Sequence, residues 1–94
     1  MALTITKQSG IYEIDGVLNS QNISAIKNYF ELIIEKSAYI KMSLNKIIDL
    51  DFIGVQFIAS LYKKAVEKNK VFFIVGVNNK EIVQLFKKEE ITTY

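Results

Sequence analysis

Ile23, Ile26, Phe30, Ile33 and Ile34 recur at steps of three and four residues, with Lys27, Glu31 and Glu35 set between them. That period predicts a helix with one buried stripe. The polar cluster Asn19-Ser20-Gln21-Asn22 ahead of it supplies N-cap residues, and the pattern fades near Lys36-Ser37. Upstream, Leu3 and Ile5, then Ile11 and Ile14, flank Lys7-Gln8-Ser9-Gly10, which predicts a hairpin of two short strands, the second closed by Gly16. Residues 39–44 alternate as a half-buried strand does, with Ile40, Met42 and Leu44 against Lys41 and Ser43. After Asp51 the helical period returns: Val55, Ile58, Leu61, Tyr62 and Ala65 inward, Gln56, Ser60, Lys63 and Glu67 outward. Lys68-Asn69-Lys70 interrupts it, and residues 71–75 are continuously apolar, as suits a strand covered on both faces. A third helix over about residues 79–88 carries Ile82, Leu85 and Phe86 on one side, and residues 91–94 make at most an edge strand.

Strands alternating with helices predict a layered α/β fold. The sheet is mixed but mostly parallel, with about four to five strands packed against about three helices. With 94 residues the expectation is one domain over positions 1–94.

Composition narrows the chemistry. Histidine, cysteine, arginine, tryptophan and proline are all missing. Without histidine or cysteine there is no usual zinc or iron ligand set, no common general base and no Ser-His-Asp or Cys-His arrangement. All 12 basic residues are lysines, and the net charge is only +2. The bidentate grip of arginine on phosphates and guanine edges is therefore missing, which argues against sequence-specific nucleic-acid binding. The four glycines are scattered singly, so no glycine-rich phosphate loop exists. Neither a secretion signal nor an apolar run long enough to span a bilayer is found, and the absence of cysteine suits a cytoplasmic protein. Metal and cofactor are expected to be absent.

The stretch Leu50-Asp51-Phe52-Ile53-Gly54-Val55 carries the functional question. Asp51 at an N-cap would accept a hydrogen bond from the backbone N–H of Ile53 or Gly54, a contribution of about 1 kcal/mol. Leu50 and Val55 sit where a hydrophobic staple requires them. Phe52 and Ile53 fall well away from the buried stripe, and Phe57 lies at its edge. These three form an exposed apolar patch, or a loop over residues 46–50 folds down and buries Phe52; both readings stay open.

The order of Gly16-Val17-Leu18-Asn19, the strand Lys41-Met42-Ser43-Leu44, Asp51-Phe52-Ile53-Gly54-Val55, the helix that continues through Ile58 to Ala65, and Val83-Gln84-Leu85-Phe86 resembles the STAS domain. That is the fold of bacterial anti-sigma factor antagonists. The family carries Asp-Ser-Ser/Thr-Gly-Leu where this chain has Asp51 to Val55. The resemblance implies a regulatory adaptor that docks a partner protein, such as a histidine-kinase-like anti-sigma factor, through the start of the second helix. In phosphorylatable members the first hydroxyl after the aspartate is the switch; Phe52 occupies that position and Ile53 the next, so no phosphorylation is expected there. The partner-binding positions the resemblance implies are Asn19, Ser20, Asp51, Phe52, Ile53, Gly54, Gln56 and Phe57. It also implies that a last helix of the family is shortened or absent, because only residues 89–94 follow the third helix.

Two other readings stand beside this one. A STAS-type subunit of a bacterial lipid-transport ABC complex would pack against an ABC ATPase, but such subunits tend to keep a hydroxyl at the position of Phe52. A small enzyme would have to rest on Asp49 and Asp51, which have no base, nucleophile or metal cluster beside them. Lys63 and Lys64 read as a solvated helix face with Glu67 three and four residues on. Self-association, through a sheet edge or the Phe52 patch, is left open.

Overall fold

The computed structural model describes residues 3–94; Met1 and Ala2, part of the N-terminal stretch read above, lie outside the described residues. The chain runs β1 (Thr4–Gln8), β2 (Ile11–Leu18), α1 (Ile23–Lys36), β3 (Tyr39–Ser43), β4 (Ile47–Leu50), α2 (Phe52–Glu67), β5 (Val71–Val75) and α3 (Lys80–Lys88). Five strands form one mixed sheet in the order β1-β2-β3-β5, with β4 also paired to β2. The β1–β2 pair is antiparallel and closes through Ser9 and Gly10, both at positive φ (54° and 78°), as a two-residue primed hairpin turn requires. The β2–β3, β2–β4 and β3–β5 pairs are parallel.

The α/β class, the mixed sheet and the three helices agree with the sequence reading. Several local expectations do not. Residues 46–50 are not a loop over Phe52: Ile47 to Leu50 form β4, which pairs with Gly16, Val17 and Leu18. Nor does Gly16 end β2. The strand continues to Leu18: its first three residues pair with β3 and its last three with β4, in a ladder that skips Ile48 because Gly16 meets Ile47 and Val17 meets Asp49.

Side chains alternate across the sheet. Tyr12, Ile14, Ile40, Met42, Phe72 and Ile74 are buried on one face, where the Tyr12 ring meets Phe30 of α1 edge-on at 5.8 Å and the Phe72 ring meets Tyr62 of α2 at 6.1 Å. Phe86 of α3 is fully buried with them. The opposite face is only partly covered, so β5 is not enclosed on both sides. Phe73 is half-buried there between Tyr39 and Tyr94, with each ring centroid 5.5 Å away, while Val71 stays exposed. The final residues pair with β5 through a single parallel bridge between Ile74 and Thr93.

Ion pairs tie the helices together instead of running along them. Lys64 reaches Glu31 of α1 at 2.6 Å and Lys63 reaches Glu89 at 2.8 Å. Both lysines stay on a solvated face, as expected, and find their ion partners far along the chain. No helix among the described residues is long and apolar enough to cross a membrane.

Candidate partner-docking site

The chain turns sharply from β4 into α2 at Asp51, whose backbone is extended (φ −91°, ψ 179°). Its Oδ1 accepts a hydrogen bond from the Gly54 N–H at 2.8 Å, satisfying one of the unpaired donors of the first helical turn. Leu50 before the cap and Val55 after it are both buried, so the turn is pinned on its inner side. Gly54 is buried as well: a β carbon there would stand 3.0 Å from the Leu18 carbonyl oxygen. The first turn of α2 therefore lies directly on the end of β2.

With the inner side fixed, the two residues between cap and glycine point away. Phe52 is 56% exposed and Ile53 is 49% exposed. Phe57 is only 8% exposed and belongs to the core, so it does not join the patch as the sequence suggested. The wheel placed it at the stripe's edge, but α2 packs on β5 and β4 as well as on α1 and α3, which widens its buried arc. A different apolar side chain is exposed nearby in sequence: Ile48 of β4, 63% exposed and four residues before Phe52. Sequence reasoning missed it because residues 46–50 read as a loop.

The other positions fall into two groups. Ser20 and Gln56 are exposed, and Asn19 is half-buried. Asn19 is a turn residue: its Oδ1 accepts from the Gln21 N–H at 2.9 Å and its own N–H donates to Asn22 Oδ1 at 3.0 Å. Asn22 precedes α1 but does not cap it, since its side-chain amide donates to the Val17 carbonyl. The turn after β2 is thus fastened to the strand that supports the α2 tip. Gly54 contributes by close packing and offers no side chain of its own.

Asp49, within β4, and Asp51, the cap of α2, are both exposed. Among the described residues, no group of three or more histidine, cysteine, aspartate or glutamate side chains could hold a metal ion. The arrangement is a rigid apolar tip flanked by carboxylates, suited to contact.

The STAS domain family model matches residues 1–92. Among solved structures, an anti-sigma factor antagonist from Mycobacterium paratuberculosis superposes with a TM-score of 0.75 at 14% identity, covering 97% of this chain and 81% of the other. The anti-sigma factor antagonist SpoIIAA in its unphosphorylated form is similar at a TM-score of 0.73 and 12% identity, covering 92% and 82%. No curated protein matches the chain. At these identities the two structures establish the shared fold, and the family match extends over nearly the whole sequence: the chain belongs to the STAS domain family.

Proposed function

We propose that this chain is a non-enzymatic regulatory adaptor of the anti-sigma-antagonist type. It works in a bacterial cytoplasm and docks a partner protein through the start of α2. The observation that carries this reading is the exposure of Phe52 and Ile53 on a helix tip whose cap, glycine and supporting strand are otherwise tightly packed. Exposed apolar side chains on a rigid support favour association because little conformational entropy is lost on binding. Asn19, Ser20, Asp51 and Gln56 surround the contact, while Gly54 shapes it from beneath. Phe57, being core, drops out of the surface.

The same positions remove the family's switch. Neither Phe52 nor Ile53 has a hydroxyl to accept a phosphoryl group, so the adaptor is constitutive at this site. The test is capture of a histidine-kinase-like anti-sigma protein by the purified chain, with Phe52→Asp beside the wild type. Loss of capture with an unchanged melting curve supports the proposal; equal capture by both proteins rejects it.

A further inference from the structure

Beside the α2 tip, a cavity of about 170 Å³ opens between β4 and the connection from β5 to α3. It lies at the carboxyl ends of the parallel strands, where α/β sheets commonly place ligands. Leu44, Ile47, Val77 and Ile82 supply apolar lining, and Asn45, Asp49, Asn78 and Asn79 make the rest of the wall polar. The hollow is open to solvent, with a volume close to that of an enclosed protein cavity of about 150 Å³ that takes up benzene.

The walls are fixed before anything binds. The Leu44 N–H donates to the Val75 carbonyl at 2.9 Å, and Asn78 Nδ2 donates to Asn45 Oδ1 at 3.2 Å across the mouth. Gly76, at φ +77°, is packed so closely that a β carbon would stand 2.9 Å from the Asn45 β carbon. Asn79 caps α3 by accepting from the Glu81 N–H at 2.8 Å. Such a preformed hollow, with apolar side chains beside oriented polar groups, has the general character of a binding site.

Charge indicates what enters. No lysine lines the cavity, although the chain carries twelve. Among the described residues, Asp49 is the one formal charge on its lining, and its carboxylate has no ion-pair partner. Ile48 and Leu50 line the cavity, and Leu50 Cδ1 also packs on Gly54 in the first turn of α2, so the hollow adjoins the tip.

We propose that this cavity is a socket for one leucine- to phenylalanine-sized side chain of the docking protein, with a lysine or arginine next to that side chain in the partner pairing with Asp49. The inference rests on the reading that the α2 end meets a protein, and it adds the chemistry of that protein's contact: an apolar knob with a cation beside it.

The test uses benzylammonium as the probe of knob plus cation, titrated into ¹⁵N-labelled protein and followed by amide chemical shifts. Benzyl alcohol and phenylacetate are the neutral and anionic controls. Saturable shifts confined to the amides around Asn45, Ile48, Asp49, Val77 and Asn78 are expected. Benzylammonium should bind about two- to fivefold more tightly than benzyl alcohol, the range of an exposed ion pair, and phenylacetate most weakly. Asp49→Asn should erase the preference for the cation, and Val77→Phe should fill the hollow and abolish binding. If Val77→Phe loses its dispersed spectrum, Ile47→Phe takes its place. Shifts scattered over the surface, no saturation, or phenylacetate binding as well as benzylammonium would overturn the proposal. The titration needs no partner protein, so a failure of partner capture at the helix tip and a failure of the socket are read separately.

Discussion

Gly54 lies flush on Leu18, with no room for even one carbon between the first turn of α2 and the end of β2. Gly54→Ala would bring a β carbon to 2.6 Å from Leu50 Cδ1 and 3.0 Å from the Leu18 carbonyl oxygen. Alanine's better helix propensity, about 1 kcal/mol, acts in the opposite direction. Overpacking against backbone costs about 1–3 kcal/mol and should win. Urea unfolding should therefore show a net loss of stability; a gain would mean that α2 shifts outward without penalty.

Phe52 and Phe57 make a paired experiment. Phe57→Ala removes a buried ring and should cost about 3–5 kcal/mol, whereas Phe52→Asp should stay within about 0.5 kcal/mol because its ring is already largely in water. The two thermal melts decide it, and equal losses would show that Phe52 is also core.

Asp51→Ala removes the acceptor of the Gly54 N–H and should destabilise by about 1 kcal/mol, while Asp51→Asn or Asp51→Ser should retain most of it. Chemical denaturation of the three variants checks the ranking. If all three lose equally, the carboxylate has a role other than capping.

Glu31 supplies the pH prediction. Its carboxyl is held below the ordinary value of 4.5, first by the hydrogen bond from Lys64 and then, against some desolvation, by the charges of Lys64, Lys27 and Lys68. A folded-state value lowered in this way adds stability that is fully present above about 4.5 and is lost as pH falls through the lowered folded value. Solvent exposure and salt keep the effect small. A ¹³C titration of the Glu31 carboxyl should show the depressed midpoint, and Lys64→Met should return it toward the ordinary value. An unchanged midpoint would place the cause elsewhere.

Most of the framework was legible in sequence because long periodic segments report their own burial. The α1 stripe of Ile26, Phe30 and Ile34 and the alternation around Ile40 and Met42 are cases in point. β4 was not legible. Ile47-Ile48-Asp49-Leu50 is only four residues long, and exposed Ile48 breaks the match between hydropathy and burial. Its pairing with β2 skips Ile48, a bulge that no local pattern announces. The partners of Lys63 and Lys64 were missed for a related reason: Glu89 and Glu31 are 26 and 33 residues away, outside any helical spacing. At the candidate site, the Asp51 cap could be read directly from residue types, whereas the directions of Phe52 and Phe57 depended on how many neighbours α2 packs against.

The divided pairing of β2 also sets where the molecule can breathe. Residues 11–15 are held by β1, with β3 alongside the first three, whereas residues 16–18 have β4 alone in ladder pairing. Amide protons in that distal segment should exchange with solvent sooner than those in the first half of the strand. Cutting the β4 ladder would free only the distal end of β2, and the hairpin half of the sheet would stay paired without it.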